Sequence, residues 1–170
     1  ALRDVTEAIG EKDHAAAVGE VNVVNQMKAT EAVIGGEGNG GIIYPASHYG
    51  RDALVGIGLF LTHLAKFGKS ISMLRASYPN YYISKNKIEL TPEIDVDKIL
   101  LEIKNKYKKH PINDIDGVKI EFEKEWVHLR KSNTEPIIRI YSESDSEATA
   151  EHLAKKIIQD IKEVVSASLI

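Results

Sequence analysis

Apolar residues recur every three or four positions in some stretches of the chain and at alternate positions in others, and the two periods divide it into unlike halves. In the first half, Leu54, Ile57, Leu61, Leu64 and Ala65 share one helical face, which predicts a helix over residues 52–67 with Gly68 as its stop signal. Residues 21–30 read as a shorter helix and the apolar run at 32–34 as a buried strand, with a glycine-rich stretch at 35–41 after it. A strand, a loop and a helix in that order belong to an α/β layer. Residues 70–80, containing Pro79 and several polar residues, are the expected hinge between domains.

Beyond that point the pattern becomes α+β. Residues 81–90 read as extended, Thr91 and Pro92 break the run, and Val96, Ile99, Leu100, Ile103 and Tyr107 mark an amphipathic helix that His110 and Pro111 end. Val118, Ile120 and Phe122 alternate with polar residues, as do Val127 and Leu129 after a tight turn near Lys124, so these are paired strands with one buried face. Residues 137–141 form another strand. Ser144 followed by Glu147 is a capping-box signal for a last helix with the stripe Leu153, Ala154, Ile157, Ile158, Ile161 and Val164. Two helices can thus cover one face of a four-stranded antiparallel sheet.

Composition narrows the class without choosing a function. At 43% apolar and 28% charged residues the chain reads as globular, and no internal repeat or low-complexity tract interrupts it. No apolar run approaches the roughly 20 residues of a membrane span, and no N-terminal stretch has the make-up of a signal peptide. There is no cysteine, which excludes disulfides and thiolate chemistry and is compatible with the expected cytoplasmic location. A net charge of −3 with dispersed lysines argues against nucleic acid. The basic residues from Lys104 to Lys109 read as the solvated end of a helix.

The chemistry concentrates in two loops. Arg130-Lys131-Ser132-Asn133-Thr134-Glu135-Pro136 sets a guanidinium fork, two hydroxyls and an amide between β-branched runs, the donor set that a phosphate dianion needs. Pro136 returns the chain to an extended strand, and Glu135 is expected to point away, onto the loop's own N–H groups or toward Lys131. An ordinary polar hairpin has a similar composition, so this loop alone does not decide. Gly35-Gly36-Glu37-Gly38-Asn39-Gly40-Gly41 places five glycines in seven residues, a backbone made for close approach or for positive φ. It has neither the Lys-Ser/Thr of a P-loop nor the helix-opening glycines of a dinucleotide site. Its carboxylate and amide suit vicinal hydroxyls of a sugar, or else the stretch is a plain flexible turn.

Together the two motifs resemble the sugar-binding and phosphate-binding loops of the α-D-phosphohexomutases, the family that includes phosphoglucomutase, phosphomannomutase and phosphoglucosamine mutase. The resemblance runs from Val18 to the C-terminus. It implies that residues 1–74 are the C-terminal part of a third, sugar-binding α/β domain and residues 75–170 a fourth, phosphate-binding α+β domain. It further implies that Arg130, Ser132, Asn133 and Thr134 hold phosphate, that Glu37 and Asn39 hold sugar hydroxyls, and that Glu20 is a specificity candidate. In the whole enzyme it implies Mg2+, a phosphorylated serine and a sugar 1,6-bisphosphate intermediate that links hexose 1-phosphate and 6-phosphate.

The serine loop and the aspartate-rich metal loop of the family are absent from these residues, so the missing N-terminal domains would be the chain's partners and the chain alone is expected to be inactive. Ala46-Ser47-His48 imitates part of the serine loop but lacks the Asn-Pro that follows there, and reads as a loop leading into a helix. The six histidines show no paired metal-ligand spacing. His128 and Trp126 share the strand face of Arg130, the first as a cleft or packing residue and the second as a packing anchor. A stand-alone phosphosugar-binding module without catalysis is the rival. The hexose is open among glucose, mannose and glucosamine, with a lean toward glucosamine or a bifunctional glucose/mannose enzyme.

Overall fold

The computed structural model describes residues 2–91, 94–132 and 135–168. Asn133 and Thr134, two of the four expected phosphate ligands, lie outside the described residues. Contacts gather the chain into two compact units, Ala1–Pro79 and Asn80–Ile170.

The first unit runs α1 (Leu2–Ala8), α2 (Glu20–Thr30), β1 (Gly35–Gly36), β2 (Ile42–Tyr44), β3 (His48–Arg51), α3 (Ala53–Phe67) and α4 (Ile71–Ala76), with the strands in the order β1-β2-β3 and antiparallel throughout. The strand expected at 32–34 is displaced: pairing occurs at Gly35–Gly36, and Val33 and Ile34 are 76% and 50% exposed. Sequence reasoning followed the apolar run, whereas the strand crosses the buried Met27, where a Cβ at Gly35 would lie 2.3 Å from the Met27 Sδ. A side chain at this position would have to displace the Met27 thioether.

Helix α3 begins as expected, with the Asp52 carboxylate accepting from the Val55 N–H at 3.0 Å, and ends at Gly68 in the left-handed region, φ 69. Its apolar stripe is not the face that packs. Leu54 and Leu61 are 80% and 55% exposed, and the helix approaches β2 through Gly56, set against Ile42. Periodicity groups residues on a face but does not name the element that covers it. The expected hinge contains α4, capped by Ser70, whose Oγ accepts from the Met73 N–H.

The second unit runs β4 (Tyr82–Glu89), α5 (Val96–Lys106), β5 (Ile112–Asn113), β6 (Val118–Glu121), β7 (Trp126–Lys131), β8 (Ile137–Ser144) and α6 (Glu147–Ser168). Its sheet is antiparallel in the order β4-β8-β7-β6-β5, five strands where four were expected. The addition, β5, pairs Ile112 with Ile120 and Asn113 with Lys119, and at two residues it is too short to show alternation in the sequence. Ile99 and Ile103 of α5, Ile157 and Ile161 of α6, and Ile120, Val127, Leu129, Ile138 and Ile140 of the sheet form the core. Each such side chain contributes about 2 kcal/mol of burial.

Because strand side chains alternate, the residues between these core positions stand on the opposite face of the sheet. The capping box expected at Ser144 does not form. Ser144 is the buried last residue of β8, and its Oγ accepts from the Ser146 N–H at 3.3 Å, so the hydroxyl ends the strand instead of opening the helix. At the far end of the core, Asp160 of α6 accepts from the Tyr107 hydroxyl at 2.5 Å and the Lys106 ammonium at 2.7 Å. Among the described residues no helix is long and apolar enough to cross a membrane.

Candidate functional site

In the first unit the candidate residues gather on the β1–β2 hairpin. The Glu37 N–H donates to the Gly41 carbonyl at 3.1 Å, and the Asn39 Oδ1 accepts from the Gly41 N–H at 3.1 Å. The turn is thus closed on itself, and Gly40 takes φ 93 within it. The half-buried Glu37 carboxylate accepts from the Gly19 N–H at 3.1 Å, which ties the hairpin to the start of α2.

Glu20, the first residue of α2, pairs with the Arg51 Nε at 2.8 Å, and the Arg51 side chain also lies beside Gly41, 2.8 Å from where a Cβ would be. Glu20, Glu37 and Asn39 therefore surround one hairpin, with Arg51 joining them. Sequence reasoning passed over Arg51, although an arginine just before a helix cap and within reach of a glycine loop was visible. The hairpin depends on close approach: a Cβ at Gly36 would fall 2.2 Å from the Gly41 carbonyl oxygen. Gly36→Ala is expected to open the turn and lower the melting temperature of the first unit by several degrees, which a thermal melt followed by circular dichroism would detect.

Residues 45–47 form the turn between β2 and β3, and His48 opens β3, so the expected loop leading into a helix is instead a turn and a strand, with α3 beginning only at Ala53. His48 accepts from the Gly50 N–H through Nδ1 and meets the Asp52 carboxylate through Nε2 at 3.1 Å. The Val55 N–H and then His48 hold the Asp52 carboxyl below its ordinary range.

In the second unit Arg130 lies near the end of β7, and the loop beyond it is closed by the Ser132 N–H donating to the Ile137 carbonyl at 3.1 Å. Ser132 is 8% exposed. Arg130 stands in register opposite Arg139 of β8, and Arg139 in turn opposite Lys87 of β4. Like charges directly across a sheet repel. Among the described residues the half-buried Arg139 has no carboxylate partner, so this row of cations is a feature that an anion would relieve.

Arg139 is the residue that sequence reasoning missed; its alternation with Ile138 and Ile140 would have placed it on the face of Arg130. Lys131 does not meet Glu135. It reaches Asp97 in the first turn of α5 at 2.7 Å, whereas the charge of Glu135 is felt at Lys87, whose ammonium is raised above its ordinary range by Glu89 first and by Glu135 further off.

On the same face, the His128 Nε2 bonds the Asp116 carbonyl, and the Trp126 Nε1 donates to Glu143 at 2.9 Å with the Lys119 ammonium over its ring. Among the described residues no group of three or more His, Cys, Asp or Glu side chains could hold a metal ion. Those residues therefore offer Mg2+ no cage of three such side chains.

The chain is similar to known proteins. Residues 1–82 match the family model described as phosphoglucomutase/phosphomannomutase, alpha/beta/alpha domain III, and residues 87–160 match that of the phosphoglucomutase/phosphomannomutase C-terminal domain. A phosphoglucosamine/phosphogalactosamine mutase of Sulfurisphaera tokodaii is 36% identical over 87% of this chain and 32% of its own length. A phosphoglucomutase/phosphomannomutase of Thermococcus kodakarensis is 36% identical over 96% of this chain and 36% of its own. The crystal structure of a phosphoglucomutase/phosphomannomutase family protein from Burkholderia thailandensis superimposes with a TM-score of 0.77 at 21% identity, over 95% of this chain and 35% of that one, a likeness of fold. The chain spans about a third of the length of these relatives.

Proposed function

The chain belongs to the phosphoglucomutase/phosphomannomutase family, and from this we propose that it is the substrate-binding C-terminal portion of a phosphohexomutase. The observation that carries the proposal is the register pairing of Arg130 with Arg139 beside the phosphate loop. Two arginines in register on neighbouring strands, next to the loop that follows β7, offer a phosphate more forked donors than a single arginine would.

A mutase that converts hexose 1-phosphate to 6-phosphate through a phosphoserine and a bisphosphorylated sugar must bind its substrate in two orientations. The loop from Arg130 to Thr134 grips the phosphate that is not reacting, with Arg139 beside it. Glu37 accepts from, and Asn39 exchanges hydrogen bonds with, the hydroxyls presented in either orientation. Glu20, its charge compensated by Arg51, is the specificity candidate. The residues of this chain bind and orient; the serine and the Mg2+ belong to domains of the longer protein, and no step here passes through the metal.

The test is a coupled assay of the chain alone and of the longer protein that includes the N-terminal domains, with glucose, mannose and glucosamine 1-phosphates. Turnover is expected for the longer protein and none for the chain. A longer protein that binds these sugars and never isomerises them would make the chain a binding module instead.

A further inference from the structure

Arg130 has one partner among the described residues, and it lies on the side away from Arg139. Its Nη1 is 3.5 Å from the Asp116 Oδ2, with the two side chains 33% and 30% exposed. That separation is beyond a strong hydrogen bond, so Asp116 attracts the guanidinium without filling the fork that a phosphate would use. The opposing influence is Arg139, directly across β7 and β8.

A carboxylate on one side and a like charge on the other bias the Arg130 side chain toward β6. The bias is useful only if Asp116 is itself fixed, and contacts at it and at its neighbours in the turn fix it. Its carbonyl is bonded by His128, two residues before Arg130 on the same face. Gly117, next in the chain, takes φ +76 and passes so close to β7 that a Cβ would fall 2.2 Å from the Leu129 carbonyl and 3.2 Å from the Arg130 Cα. The turn before it is braced by the Asn113 side chain, which accepts from the Ile115 N–H at 3.0 Å, and by Lys104, 2.6 Å from Asp114.

We propose that Asp116 is a positioning residue for Arg130: the β5–β6 turn is locked onto β7 and holds the guanidinium ready for the phosphate. This rests on the phosphate-binding role of Arg130 proposed above. A carboxylate near an anion site could equally act as a competitor, and the two effects have opposite signs in a binding experiment. As a positioner, Asp116 should strengthen phosphate binding only through Arg130. As a competitor, its removal should tighten binding.

Isothermal titration of the full chain with glucose 1-phosphate and with inorganic phosphate, for the parent, Asp116→Asn, Arg130→Ala and the double variant, separates these cases. Circular dichroism melting checks the fold of each, and Asp116→Ala serves as a second variant. Asp116→Asn is expected to weaken binding about fivefold when Arg130 is present and to change nothing when it is absent. In Asp116→Asn the Arg130 Nε–H resonance of the ligand-free chain is also expected to move from its position in the parent.

Unchanged or tighter binding by Asp116→Asn, or an equal loss in both backgrounds, would overturn the proposal. If Arg130→Ala binds phosphate as well as the parent, the phosphate-loop reading itself fails and the positioning role falls with it.

Discussion

Replacing Arg130 by alanine should lower kcat/KM of the longer protein about a hundredfold for every hexose phosphate it accepts, through loss of a charge-assisted, two-pronged contact. The uniformity across sugars is the informative part. A residue that grips the phosphate common to all substrates changes every one alike, whereas Glu20 or Asn39 should alter the ratio between sugars. Arg130→Lys keeps the charge and loses the fork, so it should recover a minor share of the activity. Steady-state assays with two hexose phosphates check both points, and a loss confined to one sugar would move Arg130 out of the phosphate role. The neighbouring Arg139 makes the expected loss incomplete, since one guanidinium would still face the anion.

The largest effect on stability is expected at Asp160. Its carboxylate is nearly buried and serves both the Tyr107 hydroxyl and the Lys106 ammonium across the α5–α6 contact. Asp160→Ala leaves the phenol without its acceptor and Lys106 with the more distant Glu163 at 3.5 Å. Lys106 is half exposed, so the cost is held to about 2 kcal/mol, a fall of about 10 °C in melting temperature for a unit of this size.

The same cluster gives a pH dependence. Burial, and next the hydrogen bond to Asp160, push the Tyr107 hydroxyl well above its ordinary value of 10.0. The unfolded chain therefore releases this proton first as pH rises, and the folded unit loses stability progressively above pH 10. Tyr107→Phe should flatten that slope just above pH 10, leaving the smaller share that Lys106, raised by its bond to Asp160, contributes at higher pH. Melting curves at pH 8 to 11 test it, and a slope between pH 10 and 10.5 unchanged in Tyr107→Phe would assign it to another group.

The second unit was the more legible from sequence because its burial follows a period. Val127 and Leu129 point to the core and His128 and Arg130 away from it, as alternation requires, and the α5 stripe from Val96 to Tyr107 is buried throughout. What escaped were features set by partners distant in sequence. Arg139 gained meaning only from its register with Arg130, and Asp116 only from a turn that folds onto β7.

In the first unit the glycine loop was recognised, but its pairing as a hairpin was not. Five glycines in seven residues leave no side-chain pattern from which a strand could be read. The α3 stripe was read correctly as one face, and the face proved open because Gly56, without a side chain, is where the sheet comes closest.

Trp126, the sole tryptophan, is fixed between Glu143 and Lys119 and belongs to the second unit. Its emission is therefore a spectral label for that unit, already in place and needing no dye. Recorded beside the helical ellipticity, to which both units contribute, a denaturant titration of this one indole shows whether the two units melt as a single cooperative body or in sequence.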